Sequence, residues 1–192
     1  IERETGALYG VVTKFDVIVA LLKALDIDYY NKEISEFNVA THFFEDVSAD
    51  ETTLSFFFHV EGNDFKRSGE ASSKLKKNLG YLGLHPDIIR RVAIATYEAE
   101  MNLIIYGGGG RIDTLLSDKT ITITVTDNGP GIPDVEQAMK PGFSTASDWV
   151  RELGFGAGMG LPNIKKCAEE LNVESREGEG TKLTIQIPLE ES

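Results

Sequence analysis

Glu98 and Asn102 stand four residues apart in the run Glu98-Ala99-Glu100-Met101-Asn102. On a helix that spacing puts them one turn apart, on a shared face. A carboxylate beside an amide oxygen suits phosphoryl transfer. The first can accept or orient a hydroxyl proton, and the second is a hard oxygen ligand for Mg²⁺. The pair also suits the solvated polar edge of an ordinary helix. Ile94 and Ile105 share its face and are apolar, which predicts that the pair emerges from the side facing a sheet.

Three further clusters invite the same scrutiny. In Thr120–Thr126, Ile121, Ile123 and Val125 alternate with four threonines, the period-2 pattern of a half-buried strand. Continuing the count puts Asp127 on the core face, at the mouth of the turn Asn128-Gly129-Pro130-Gly131. A carboxylate in that position needs a hydrogen-bond donor, and the amino group of a bound base is one. The run Gly154-Phe155-Gly156-Ala157-Gly158-Met159-Gly160-Leu161 precedes a helical pattern. Spaced glycines ahead of a helix N-terminus offer backbone N–H groups to phosphate oxygens. The run does not satisfy GxGxxG, because Met159 and Leu161 occupy positions that need glycine, and no GxxxxGK[ST] exists. Finally, Gly178-Glu179-Gly180-Thr181 opens the last strand pattern, with Thr181 in phase with Leu183. If that strand neighbours Thr120–Thr126, the Thr181 hydroxyl lies beside Asp127; an ordinary turn reads the same.

The elements that must position these residues follow from periodicity. Leu54, Phe56, Phe58 and Val60 form one face of a strand, and Ser68–Leu82 reads as an amphipathic helix with Leu75, Leu79 and Leu82 on one stripe. A second helix runs over about Asp87–Tyr106, with Pro86 at its first turn and Gly107–Gly110 as its stop. After the central strand, Pro133–Leu153 is polar and aperiodic. A third helix spans about Pro162–Leu171, and Thr181–Pro188 is the last strand. The order strand, helix, helix, strand, loop, helix, strand predicts a two-layer α/β sandwich of the α+β class. Upstream, Leu8–Thr13 reads as a strand and a helix starts near Asp16, while Asp26–Glu51 is acidic and reads as a connector with a short element or two.

Composition narrows the partners. The chain has 192 residues, one cysteine (Cys167) and a net charge of −12. The negative charge argues against nucleic acid, and the lone cysteine excludes an internal disulfide or a thiolate metal cluster. No apolar run reaches the length of a membrane span and no secretory segment opens the chain. A cytoplasmic location is expected. The first residue is Ile1, which suggests a fragment or a processed chain.

Taken in order, EAEMN, DNGPG, GFGAGMG and GEGT resemble the GHKL ATP-binding family, shared by histidine kinases, gyrase-type ATPases and anti-sigma-factor serine kinases. The resemblance covers about Glu51–Leu189. It implies the Bergerat form of the sandwich, a mixed, mostly antiparallel sheet with helices on one face, over residues 51–190. It further implies ATP and Mg²⁺ as ligands, with Asn102 on the metal and Asp127 accepting from the adenine amino group. Gly129 and Gly131 would pass under the base with Ile132 beside them, and Thr181 would help fix the base. Gly154, Gly156, Gly158, Met159, Gly160 and Leu161 would form the phosphate end. Pro133–Leu153 becomes a lid, from which Lys140, Ser144 and Thr145 would reach phosphates. Residues 1–28 resemble the closing part of a CBS domain, with Thr13 and Asp16 matching its pattern, and 29–50 then link it to the ATP module.

Position 98 separates the branches of that family. Histidine kinases usually carry an amide where this chain has Glu98, whereas serine kinases and hydrolytic ATPases carry Glu. None of His42, His59 and His85 sits in a phosphoacceptor context. Gyrase-type enzymes append a transducer domain, whereas this sequence stops about where the last strand ends, and GFSTASDWVRELGFGAGMGLPNIKKCAEEL looks like the short-lid serine kinases of bacterial stress switches, lengthened by Asp148–Leu153. The resemblance implies a serine/threonine protein kinase with Glu98 as general base. Its partner would be an anti-anti-sigma-like substrate or a sigma factor, and a homodimer is compatible. Two other readings stay open: an ATP-binding module that sequesters a partner without kinase activity, and an ATP-sensing fragment of a larger protein.

Overall fold

A computed structural model describes residues 47–49 and 53–189. The CBS-like tail and most of the connector lie outside the described residues. The strands are β1 (Val47–Ala49), β2 (Leu54–Glu61), β3 (Gly109–Leu116), β4 (Thr120–Thr126), β5 (Glu170–Arg176) and β6 (Gly180–Pro188). The helices are α1 (Glu70–Tyr81), α2 (Pro86–Asn102), α3 (Val135–Ala138), α4 (Asp148–Glu152) and α5 (Gly160–Cys167). The sheet runs β1-β2-β3-β4-β6-β5 and every pair is antiparallel, so the expected mixture of strand directions is absent from it. β1 falls in the stretch read as a connector.

Alternation decides which face is covered. Leu54, Phe56, Phe58, Ile112, Leu116, Ile121, Ile123, Val125, Leu183, Ile185 and Ile187 are all buried. They point at the layer of α1, α2 and α5, whose Leu75, Leu79, Val92, Ala95, Ala99 and Ile164 complete one cluster. Among the described residues no helix covers the opposite face, and Leu115 is exposed on it. Among the described residues no helix is long and apolar enough to cross a membrane.

Glu100 ties the layer together. It is buried, and its two carboxylate oxygens accept from the backbone N–H groups of Ala71 and Ser72, each at 3.1 Å. α1 begins at Gly69, which offers no side-chain cap. The carboxylate of α2 therefore satisfies the orphan donors of α1 and meets the positive end of its dipole. Burial pushes the Glu100 carboxyl above the ordinary range, against those N–H groups, which pull it down. On the other flank, Arg91 Nε donates to the Cys167 carbonyl at 2.8 Å and fixes α5 beside α2.

α2 does not continue as an α-helix to Tyr106. After Asn102 it loosens into a π-helical turn, Leu103–Gly107. Such turns often accompany functional sites. Here it carries Gly107 against Asp127: a side chain at Gly107 would meet the Asp127 Cβ at 3.0 Å.

Candidate functional site

The cavity opens between α2, the π-turn, the β4 end, the lid and α5, and measures about 750 Å³, within the range of small-molecule sites. At one end stand Glu98 and Asn102. The sheet-facing residues of α2 are Val92, Ala95, Thr96 and Ala99, all buried, whereas Ile94 is exposed. Glu98 and Asn102 thus emerge on the flank of α2 that faces α5 rather than on the sheet side. The helical phase offset of 98 and 102 from 95 and 99 accounts for the difference.

Asn163, on α5, donates from Nδ2 to Glu98 Oε1 at 2.7 Å. Glu98 Oε2 lies on the side of Gly160, and a Cβ built on Gly160 would sit 3.6 Å from it and 3.2 Å from Asn102 Oδ1. A methyl at 160 would crowd Asn102 by a few tenths of an ångström and touch Glu98 at ordinary contact distance. The carboxylate keeps one oxygen oriented by Asn163 and the other open. The Asn102 amide, half-buried and facing the cavity, has no hydrogen-bond partner among the described residues.

The opposite end is built around Asp127. Its Oδ1 accepts from Gly129 N at 2.8 Å and from Thr181 N at 3.2 Å, and Asp127 N donates to the Thr181 carbonyl at 3.0 Å. The strand registers Thr126↔Lys182 and Ser175↔Thr181 bring these residues together. Oδ2 takes no hydrogen bond among the described residues and faces the cavity. Burial raises the Asp127 carboxyl above its ordinary value, with the two N–H groups pulling it back. Behind Thr181, Ser175 bonds three ways: to the Gly180 carbonyl at 3.0 Å, to the Thr181 hydroxyl at 2.9 Å and to Ile132 N at 2.8 Å.

The glycine run and the lid form the roof. Gly142 N donates to the Gly158 carbonyl at 2.9 Å. Gly158 has φ +71°, and a Cβ on it would meet Gly142 C and Phe143 O at 2.5 Å, so only glycine allows this closeness. Tyr106 of the π-turn shares a hydrogen bond with Ser144 at 3.0 Å, joining helix and lid. Trp149 meets Phe65 edge-to-face and Phe155 meets it at a tilt, with centroids at 5.3 and 5.6 Å, which seats the lid on the 3₁₀ turn before α1.

Of the residues singled out from sequence, Glu98, Asn102, Asp127, Gly131, Ile132, Ser144, Thr145, Gly154, Gly156, Gly158, Met159, Gly160, Leu161 and Thr181 line the cavity. Gly129 lies just behind it, with a Cβ there meeting Gly107 and Asp127. Lys140 is exposed at the end of α3 and does not reach the cavity. Tyr97, Tyr106, Gly107 and Phe155 line it without having been singled out. Asn163 and Ser175 support it from outside. Asn163 was readable as a polar residue one turn into α5. Ser175 becomes readable only once β5 is known to pair with β6.

A cavity with a carboxylate–amide pair at one end, a half-buried aspartate at the other and glycine backbone between them accepts a ligand with a polar head and a charged tail. The family profile described as histidine kinase-, DNA gyrase B- and HSP90-like ATPase matches residues 88–191. The serine/threonine-protein kinase RsbT of Bacillus subtilis (strain 168) is 36% identical over 97 residues, covering 48% of this chain and 67% of its own length. An anti-sigma F factor of Clostridium acetobutylicum is 32% identical over 140 residues, 69% of this chain and 90% of that protein. Among solved structures, the mycobacterial sensor histidine kinase MprB aligns with a TM-score of 0.39 and 22% identity, over 52% of this chain and 71% of that one.

Proposed function

Because the chain belongs to the histidine kinase-, DNA gyrase B- and HSP90-like ATPase family, we propose that it binds Mg-ATP and transfers the γ-phosphoryl group to a seryl or threonyl hydroxyl of a partner protein. The observation that carries this reading is Glu98, held by Asn163 through one oxygen and open through the other, beside Asn102 at the N-terminus of α5. In the transfer, Glu98 takes the hydroxyl proton as the new O–P bond forms, and the bond from phosphorus to the leaving ADP oxygen breaks. A well-placed base contributes about 10²–10⁴ in rate.

The unpartnered Asn102 amide suits Mg²⁺. That ion is held by one or two protein oxygens and completes its shell with water and phosphate. Asn102 is the residue that would hold it, and once bound it would neutralise phosphate charge. Asp127 Oδ2 and Thr181 receive the base, and the glycine backbone of 154–160 surrounds the phosphates. Lys140 reaches them only if α3 moves. The name of the Clostridium relative, anti-sigma F factor, favours a second reading in which capture of the partner is itself the output. A cytoplasmic location and a sigma-factor-type partner belong to the same proposal.

The test is transfer of labelled phosphate from Mg-ATP to candidate partner proteins by the wild type and by Glu98→Ala. Loss of transfer with retained ATP binding supports the proposal. Full transfer by Glu98→Ala removes Glu98 as the base. ATP failing to bind at near-millimolar concentration overturns the proposal as a whole.

A further inference from the structure

Ser175 lies outside the cavity, yet it determines what one wall of the cavity can offer. Its hydroxyl has one proton and three partners. The Gly180 carbonyl can only accept, so Ser175 donates there. Ile132 N–H can only donate, so Ser175 accepts from it. The remaining contact, 2.9 Å from Thr181 Oγ1, must then be a bond in which Thr181 is the donor, because the Ser175 proton is already committed. Thr181 Oγ1 is left with lone pairs alone to present to the cavity.

Four neighbouring backbone donors are spent as well. Gly129 N and Thr181 N both serve Asp127 Oδ1, Asp127 N serves the Thr181 carbonyl, and Ile132 N serves Ser175. Of the Asp127 and Thr181 side chains, which both line the cavity, what is left for a ligand is Oδ2 and the free lone pairs of Oγ1, two acceptors. We infer that Ser175 is a specificity-determining positioning residue: by fixing the direction of the Thr181 hydroxyl, it makes the base end of the cavity an all-acceptor wall that selects a nucleobase through an exocyclic amino group.

This rests on the reading that a nucleoside triphosphate binds here with its base at Asp127. Adenine brings two N–H donors on one nitrogen and matches the wall. Hypoxanthine carries a carbonyl oxygen at the same place and sets an acceptor against acceptors. A site built to hydrogen-bond a group discriminates strongly against an analogue that leaves its polar groups unpaired. Removing the Ser175 hydroxyl frees the Thr181 proton to turn outward. The wall then offers a donor, and the rejection of a carbonyl weakens.

The experiment is calorimetric titration of the full chain with Mg-ATP and with the Mg complex of inosine triphosphate. Ser175→Ala is expected to narrow the preference for ATP by about tenfold, the worth of one hydrogen bond, with part of the change a gain in inosine triphosphate affinity. Ser175→Thr keeps a hydroxyl and is expected to keep the wild-type preference, which separates polarity from simple support of the Ile132 loop. Thr181→Val removes the lone pairs directly and is expected to narrow the preference similarly. The double variant Ser175→Ala/Thr181→Val should then narrow it no further, since both act through one hydroxyl.

If Ser175→Ala fails to fold, Thr181→Val carries the test. ATP binding with a preference unmoved within twofold in Ser175→Ala, or in Thr181→Val where the first cannot be measured, overturns the role of Ser175 alone. A double variant whose effects add also overturns it. Absence of ATP binding by the wild type overturns the parent reading and this one with it.

Discussion

Gly160→Ala should raise stability and lower function together. Gly160 is the first residue of α5 and does not occupy the left-handed region, so alanine fits its backbone without strain. Gly→Ala at a compatible helical position stabilises by about 0.4–1 kcal/mol, mainly by restricting the unfolded chain. For a chain of this size that is a rise of about 1–4 °C in Tm. The new methyl, however, sits 3.2 Å from Asn102 Oδ1, 3.5 Å from Asn102 Nδ2 and 3.6 Å from Glu98 Oε2. Asn102 must yield by a few tenths of an ångström, and it is the group assigned to the metal. Misplacement by 1 Å can cost 10²-fold, so a shift of this size is worth about tenfold. Differential scanning fluorimetry and Mg-ATP titration read the two effects separately. A fall in Tm of several degrees, or unchanged Mg-ATP affinity and transfer, refutes the steric reasoning.

Three further outcomes are expected. Asn163→Ala should cut phosphoryl transfer by about tenfold through loss of one charge-assisted hydrogen bond, while leaving ATP affinity within twofold, as steady-state kinetics and titration will show. Affinity for ATP should depend on the Asp127 carboxylate. Only the ionised form accepts at Oδ2, and burial raises its pKa, so affinity is present above that pKa and fades as pH falls through it, beginning above the ordinary aspartate value of 3.8. Asp127→Asn, weaker at neutral pH, should lack this fading when titrated over the same range. Glu100→Gln leaves one amide oxygen for two N–H groups and turns an NH₂ toward the second. It should destabilise by about 2–3 kcal/mol, visible in urea unfolding, whereas an exposed carboxylate such as Glu136 changed to Gln should have almost no effect.

The strongly periodic parts of the molecule are legible in the sequence alone. β2, β4, β6 and α1 announce themselves because one face of each is buried and apolar. β3 escaped notice for two reasons. It begins at Gly109-Gly110, which reads as a helix stop, and its inward row is broken by Thr114, buried with no hydrogen-bond partner for its hydroxyl. β5 is an edge strand whose inward row, Leu171 and Val173, is short and only half-buried, so it gives a weak signal. The third helix was accordingly extended to Leu171, where the structure ends it at Cys167 and starts β5 at Glu170. The proximity of Asp127 and Thr181 followed from strand phase, but the bond that joins them uses the Thr181 N–H, while its hydroxyl turns to Ser175. Backbone donors are not encoded in residue type. Ile94, apolar by type, predicts a sheet-facing flank for Glu98 and Asn102, but it is exposed and Glu98 emerges beside α5.

The clasp of β4 against β6, from Thr120↔Pro188 to Thr126↔Lys182, closes a large loop that contains the lid, α5 and β5. Closing such a loop costs conformational entropy that grows only with the logarithm of its length. Adding the six residues 148–153 to a loop of roughly fifty costs about 0.1 kcal/mol on that basis. The sheet is therefore almost indifferent to how long the lid is. Residues can be inserted or removed above the cavity without disturbing the strand register that sets Asp127 beside Thr181. In this architecture the roof can diverge in length while the chamber beneath it keeps its dimensions.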